Sequence, residues 1–569
     1  MLSEILRKEL ENLFIKKKYD EVIKISEEKL SFKDIPGSLS NLIGVCKIFK
    51  KERTIEDVSS ALTCFEEAYL KGKKTIHGLN GLTHLILIGL QFLKENRSLL
   101  PFIIKAEKFY LESENHYGKN ETFLSSGLSL YSHLLDRKKQ KEIINNILSG
   151  NSKSKLLRSV CLLEKNYFND WSQKEHFKDA RINSKYFSKL EVKKISEINF
   201  KNNKKINIGF VSADFERNHP ITFFIQDTIK YLDKKKFKIH LFSFAKENKE
   251  DESQKDIKNL SEEWHNLKDF DNQKVANLIQ QKKIDILFDI IGFTNPYRLE
   301  IFKSRIAPIQ ISWLAYCNTT GFENIDYIMS DKNLILKEEE SLYSEKIIQL
   351  PNIWNSHTGF NLKRKYNNLP HEKNKIFTFG SFNNFKKISD ETIETWSSIL
   401  QNVSNSKLIL KSSIFCDDTI LFNKFKKNGV ENKIEILDKV NFRNKKDHLD
   451  LYKKIDLALD TFPYNGVTTT FESLWMNVPV IVLKGYNFNS RCGESIIANT
   501  EINYLIALTK QEYIQKAIFL SKNVTKLIEI RKKLYDKVLS TPLFNTQGFA
   551  KDFSNSLLKI FYGKNLRGR

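Results

Sequence analysis

From residue 205 the chain alternates two textures, and that alternation is what most narrows the folds open to it. "KINIGFVSADF" (205–215) is a basic lead-in, a β-rich apolar run and a polar turn. "FKIHLFSF" (237–244) and "IDILFDIIGFT" (284–294) repeat the short apolar run, and helical patterns such as "DNQKVANLIQQKK" (271–283) lie between them. Short buried runs separated by amphipathic helices imply a parallel sheet with crossover helices. A second series starts near 375 with "KIFTFGSF", "SKLILKSS", "KIEILD", "IDLALD" and "PVIVLKG". A stretch with two prolines, 347–374, separates the series and reads as a linker. Two doubly wound sheets in tandem leave a cleft, and ligands of such sheets sit outside the carboxyl ends of the strands.

Residues 1–195 have a different period. Apolar side chains recur at three- and four-residue spacing, the mark of packed helices. "ALTCFEEAYLKG" sets Ala61, Phe65 and Ala68 at the spacing of a tetratricopeptide second helix, and Gly44 is the small residue that lets a first helix approach it. "KKYDEVIKISEEKL" (17–30) resembles another second helix, so a TPR-like solenoid is expected, although a generic helical domain has the same period. The expected organisation is a helical repeat domain at 1–195, one Rossmann-like half at 196–365 and a second at 366–569.

Composition removes several function classes. The net charge of +23 invites a nucleic-acid reading, but the lysines are spread along the whole chain and no nucleic-acid-binding motif accompanies them. A solvated basic surface is the simpler account, so no nucleic-acid partner is expected. The six cysteines (46, 64, 161, 317, 416 and 492) lie far apart, without a C-x-x-C pair, which argues against a zinc site or a disulfide scaffold and suits a reducing cytosol. "MLSEILRKELENLF" is amphipathic rather than a signal peptide. The apolar run "LTHLILIGLQFL" (82–93) is too short to cross a bilayer, so a cytoplasmic protein without membrane insertion is expected. No dinucleotide fingerprint, P-loop or metal-ligand cluster is present, so neither a cofactor nor a metal is expected.

The candidate chemistry lies at the strand ends. In "YNGVTTTFESLW" (464–475) an Asn-Gly turn, Asn465–Gly466, runs into three threonines and then a helix. β-branched residues at a helix start admit two readings: one threonine is a cap, or hydroxyls and amides together hold a phosphate. After the first strand, His219 precedes Pro220, which holds it extended where an imidazole can take up a proton near neutral pH. "FGSFNNFKKISDETIETW" (379–396) offers Asn383, Asn384, Lys386 and Lys387 ahead of a helix whose cap is Ser389. A lysine there can neutralise a diphosphate leaving group, and two adjacent lysines need not both face the cleft. Lys445, His448 and Glu472 flank the threonine loop, and a carboxylate there can accept bonds from ribose hydroxyls.

Several blocks carry a family resemblance: "IGFVSADFERNHP", "DIIGFT", "RIAPIQISWLAYCNTTGFENIDYIMSD", "FNNFKKISDETIETWSSILQNVSNSKLIL", "LDTFPYNGVTTTFESLWMNVPVI" and "SRCGESII". Their order and content, over about 205–550, resemble the O-GlcNAc transferase and SPINDLY-like glycosyltransferases, the GT41 group. The resemblance implies a GT-B fold and transfer of a sugar, GlcNAc from UDP-GlcNAc before others, onto Ser or Thr hydroxyls of proteins recruited by the repeats. GDP-fucose, UDP-glucose, an asparagine acceptor and a non-catalytic scaffold are the alternatives. By the same resemblance His219 is the base or the acceptor's positioner, and Lys387 holds the diphosphate. Asn384, Lys445, His448, Asn465, Gly466, Thr468, Thr469 and Glu472 contact the nucleotide sugar, without a metal. The chain departs from the pattern at Glu472, where the family has Asp, at Val467, where animal enzymes carry His, and at Ala315, Cys317 and Asn318, which replace Gly, Pro and Gly.

Overall fold

A computed structural model describes residues 4–30, 35–93, 96–195, 205–215, 219–248, 251–360, 362–412, 418–437 and 445–567; Cys416 lies outside them. The chain forms two compact units, Met1–Leu157 with Ser413–Leu421, and Arg158–Ser412 with Phe422–Arg569.

The first unit is helical throughout its described residues. Helices Gly37–Phe49 and Ile55–Lys71 pack as a pair, and a Cβ on Gly44 would lie 2.5 Å from the Phe65 ring, so only glycine permits that approach. Ala61, Phe65 and Ala68 are fully buried. Thr54 and Asp57 close a reciprocal capping box on the second helix of the pair. The apolar run at 82–93 belongs to a longer helix, Ile76–Leu93, which passes a length-and-composition test for crossing a membrane; Leu79, Leu82, Leu85, Ile86 and Leu90 are buried in the unit's own core.

The second unit holds two parallel sheets. The first comprises β1 (Ile206–Ser212), β2 (Phe237–Ser243), β3 (Glu263–Asn266), β4 (Ile286–Asp289), β5 (Ile309–Ser312), β6 (Tyr327–Asp331) and β7 (Lys346–Leu350), in the order β3-β2-β1-β4-β5-β6-β7. The second comprises β8 (Phe377–Ser381), β9 (Ser406–Lys411), β10 (Ile434–Leu437), β11 (Leu457–Leu459), β12 (Val480–Leu483) and β13 (Ile506–Ala507), in the order β10-β9-β8-β11-β12-β13. In each sheet the strand order reverses beside the first strand, at β1/β4 and at β8/β11. β1 is buried along its whole length, as a strand covered on both faces must be.

Two expectations shift. β7 occupies the start of the stretch expected to be linker; it is an edge strand that exposes Lys346 and Gln349, so it lacks a continuous apolar run. The expected boundary near 195 falls inside the second unit, because Leu162, Ala180 and Phe187 pack into one core with Val211, Phe242 and Leu287. Chain continuity between the two halves is reinforced at the C-terminus. Helix Thr546–Arg567 returns to the first half, where Phe553 lies 5.5 Å from Phe288 and 4.8 Å from Trp313, ring to ring.

Candidate active site

A cavity of about 510 Å³ opens where the carboxyl ends of the two sheets meet. Asp214, His219, Phe224, Asn295 and Cys317 line it from the first half, and Asn383, Asn384, Lys387, Tyr464, Thr468, Thr469 and Cys492 from the second. Both walls are therefore βα turns at the reversal points of the strand order, where doubly wound sheets bind ligands.

On the first wall the turn after β1 carries Asp214 and His219. His219 is the residue before helix Pro220–Tyr231, with φ −75° and ψ 131°, the extended geometry that a following proline imposes. Its Nε2 lies 3.7 Å from Asp214 Oδ1, and its Nδ1 is buried without a hydrogen-bond partner. Burial raises the Asp214 carboxyl above the ordinary range, against the opposing pull of His219. Asp214 was not among the expected site residues, although it lies in the block "IGFVSADFERNHP" on the same turn as the histidine.

The second wall is denser. Asp460, at the end of β11, accepts hydrogen bonds at Oδ1 from the Gly466 amide (2.8 Å), the Thr461 amide (2.9 Å) and Asn383 Nδ2 (3.1 Å). Asn383 Oδ1 in turn accepts from the Thr469 hydroxyl at 2.8 Å. One carboxylate and one amide thereby tie the turn after β8, the loop after β11 and the start of helix Thr468–Trp475 together. Asn465 closes the loop from within: Nδ2 donates to the Thr461 carbonyl at 2.9 Å, and Oδ1 accepts the Gly493 amide at 3.1 Å. A side chain at Gly466 would put Cβ 2.4 Å from Thr469 Oγ1 and 2.9 Å from Asp460 Oδ1, so the position admits only glycine.

Lys387 reaches across this loop. Its Nζ donates to the Asn465 carbonyl at 2.8 Å and stands 4.2 Å from the centre of the Tyr464 ring. Burial lowers its ammonium, and the Asp460 charge pulls it back up. Lys386, its neighbour, turns instead to Glu164 at 3.4 Å, so the two lysines do diverge. Asn384 caps the short turn Phe385–Lys387 by accepting the Lys386 amide, and Ser389 caps the next helix through the Thr392 amide. Val467, not a threonine, is the residue before the threonine helix, and no side chain caps it. The first-turn amides of Thr468 and Thr469 point out of the helix end, where the dipole is positive. Thr468 makes no side-chain hydrogen bond among the described residues and faces the cavity.

Lys445, His448 and Glu472 form a separate cluster that does not line this cavity. Glu472 is buried, and both of its oxygens are engaged: Oε1 by Lys445, and Oε2 by His448 Nε2 at 2.8 Å and the Tyr452 hydroxyl at 3.0 Å. Burial alone would raise this carboxyl; His448, Lys445 and Lys411 together hold it well below the usual range. Lys411, pushed down to about 8 by burial, completes the cluster with its Nζ 3.4 Å from His448 Nδ1. The Lys445 ammonium lies 4.6 Å from the centre of the Phe360 ring. Lys411, Tyr452 and Asp460 are not among the expected site residues; Asn383 is expected on its turn, but without the partners it has here.

One group among the described residues has ligand-like spacing: His240, Glu263 and His265 on β2 and β3. Its carboxylate is already clasped by Lys238 at 2.6 Å and Lys282 at 2.7 Å, the arrangement of an ion-pair network.

The model of glycosyl transferase family 41 matches residues 183–360 and 355–553. The probable UDP-N-acetylglucosamine–peptide N-acetylglucosaminyltransferase SPINDLY of Arabidopsis thaliana is 31% identical over 68% of this chain and 43% of its own length. Its namesake SEC, from the same plant, is 30% identical over 63% of this chain and 37% of its own. The chain thus spans less than half the length of these curated relatives. A solved mutant of the Thermobaculum terrenum O-GlcNAc transferase superposes with a TM-score of 0.76 at 21% identity, over 90% of this chain and 96% of that one, which shows a shared fold.

Proposed function

The chain belongs to glycosyl transferase family 41, and from that premise we propose that it moves a sugar from a nucleotide-sugar donor onto a hydroxyl of a peptide or protein. The observation that carries the proposal is convergence. A lysine ammonium, the open start of a helix and a histidine share one cavity between two parallel sheets. The second wall suits a diphosphate: Lys387 supplies the charge, and the amides of Thr468 and Thr469 supply donors aimed along the helix dipole. The names of the relatives favour UDP-GlcNAc as donor and a peptide as acceptor; we propose a Ser or Thr hydroxyl as the group that receives the sugar.

In this scheme the acceptor hydroxyl enters against the first wall and attacks the anomeric carbon. The bond from that carbon to the diphosphate oxygen breaks, and negative charge builds on the leaving phosphate. Lys387 and the helix start meet that charge as it develops, and one such preorganised donor is worth about 3 kcal/mol in the barrier. His219 receives or orients the acceptor's proton; the adjacent Asp214 would stabilise an imidazolium formed there. The chain's own groups cover the developing charge, so we propose a reaction without a resident cofactor or metal, with rates unchanged by a chelator. The helical unit would recruit extended acceptor segments, and a reducing compartment such as the cytoplasm suits the free cysteines.

The test is calorimetry with UDP, GDP, UDP-GlcNAc, UDP-glucose and GDP-fucose, followed by transfer to a peptide library, with Lys387→Ala alongside. Donor binding and transfer that vanish in Lys387→Ala support the reading. Preference for GDP-fucose would reassign the donor, and binding of none of the five would leave a protein-binding scaffold.

A further inference from the structure

Asp460 is the buried acid that nothing in the scheme above uses. It lies 2% exposed beneath the loop that would hold the diphosphate. Its two oxygens have unequal roles. Oδ1 accepts all three of the hydrogen bonds that join Gly466, Thr461 and Asn383. Oδ2 is buried and has no hydrogen-bond partner. It faces Gly493, where even a Cβ would come within 2.7 Å of it. A buried carboxylate oxygen without a donor is costly as an anion and far less so once it carries a proton. Protonation at Oδ2 leaves every bond on Oδ1 intact, so the loop keeps its shape in both states.

The groups around it leave the carboxyl responsive to one more charge. Lys387 is the cation that faces it, from the turn after β8. Tyr452 and Tyr513 face it from the neighbouring helical segments; burial holds both phenols well above their ordinary range, so they stay neutral. The Tyr513 hydroxyl donates to the Asp460 backbone carbonyl at 2.9 Å. With Asp460 ionised, Lys387 is already half of a neutral pair. With Asp460 protonated, the lysine charge is free for an incoming anion.

Resting on the donor-site reading above, we infer that Asp460 is a positioning residue that takes up a proton at Oδ2 when the donor's diphosphate binds. The loop is held by the same three bonds throughout, and the proton removes the one negative charge lying under the phosphates. Burial, opposed by the Gly466 amide and by Lys387, pushes this carboxyl up to about 7, which puts the exchange within reach of neutral pH.

The experiment is calorimetry of the intact protein with UDP-GlcNAc, UDP-glucose and GDP-fucose, whose diphosphates do not titrate near neutrality. It is run at pH 7.5 in buffers of different ionisation enthalpy and then from pH 6.5 to 8.5. Uptake of roughly half a proton or more per donor, with affinity falling about tenfold across that range, is expected. Asp460→Asn keeps an acceptor oxygen at Oδ1 and cannot ionise; its proton uptake should vanish and its affinity at pH 8.5 should equal or exceed that of the wild type. Donor binding without proton uptake by the wild type overturns the inference and leaves the donor-site reading standing, as does uptake that persists in Asp460→Asn. Persistent uptake would place the proton on another group of the cavity, Asp214 first, whose carboxyl burial also raises. Failure of the wild type to bind any of the three donors overturns the donor-site reading itself.

Discussion

The two walls of the cavity are built by the same device, a βα turn at a reversal of strand order, yet they are held to different degrees. On the first wall His219 has one buried nitrogen without a partner and the other 3.7 Å from a carboxylate. On the second, Asp460, Asn383, Asn465, Gly466, Thr469 and Lys387 form a closed set of hydrogen bonds between 2.8 and 3.1 Å. A group that must meet the same diphosphate at every turnover gains from being fixed beforehand, because fixed dipoles need no reorganisation. A group that meets varied acceptor hydroxyls gains from keeping its partner position open. The difference predicts that substitutions on the first wall change the rate of the chemical step, while those on the second also change donor affinity.

The largest effect is expected at His219. His219→Ala should lower kcat by about 10²–10⁴-fold, as loss of a general acid–base group does, with donor affinity by calorimetry unchanged. A fall in donor affinity of similar size would break the division between the walls. Lys387→Ala comes next: a loss of about 10²–10³-fold in kcat, together with a weaker donor complex, because its charge serves both the bound and the leaving diphosphate. Turnover unaffected by Lys387→Ala would remove the lysine from the mechanism.

The fold was legible where burial is two-sided and illegible where it is not. β1, β4 and β8 are buried along their whole length because both faces are covered, so their largely apolar runs stand out against the helices. β3, "EWHN", and β7, "KIIQL", lie at the edges of their sheet and expose polar side chains, which hides them. The helices run to Ser184, but the compact helical unit ends earlier, at Leu157, for a related reason. Helices Lys155–Lys165 and Gln173–Ser184 have the same period as those before them, and only tertiary packing assigns Leu162 and Ala180 to the sheet core. At the site, the residues named from motifs fall into the cavity, the Glu472 cluster and, for Asn465 and Gly466, the loop after β11. Asp460 escaped notice, and Asn383 was legible only as a turn residue, because their significance is that they touch each other across 77 positions of sequence.

A smaller and more local effect is expected at Gly466. Any side chain there collides with Thr469 Oγ1 and the Asp460 carboxylate, so Gly466→Ala must push the loop away from the helix start. Overpacking of this kind costs about 1–3 kcal/mol, and the displaced loop also carries the carbonyl that Lys387 holds. Donor affinity should fall roughly tenfold or more, with kcat at saturating donor falling less than in Lys387→Ala. An unchanged donor affinity would mean that the loop is not part of the donor site.

The smallest effect separates two threonines that are adjacent in sequence. Thr469 donates to Asn383 and so belongs to the framework, whereas Thr468 has no side-chain partner among the described residues and faces the cavity. Replacing either by valine keeps the β-branched shape and removes only the hydroxyl. In Thr469→Val the Asn383 oxygen loses its donor, which costs about 0.5–1.5 kcal/mol of stability and is read as a lower melting temperature without ligand. In Thr468→Val nothing in the free protein is lost, so the melting temperature should hold while donor affinity drops about threefold to tenfold, the worth of one hydrogen bond. If both variants melt early and bind donor normally, the hydroxyls serve the helix alone. If Thr468→Val binds weakly and melts normally, the run of threonines divides its work, one residue bracing the wall and its neighbour facing the ligand.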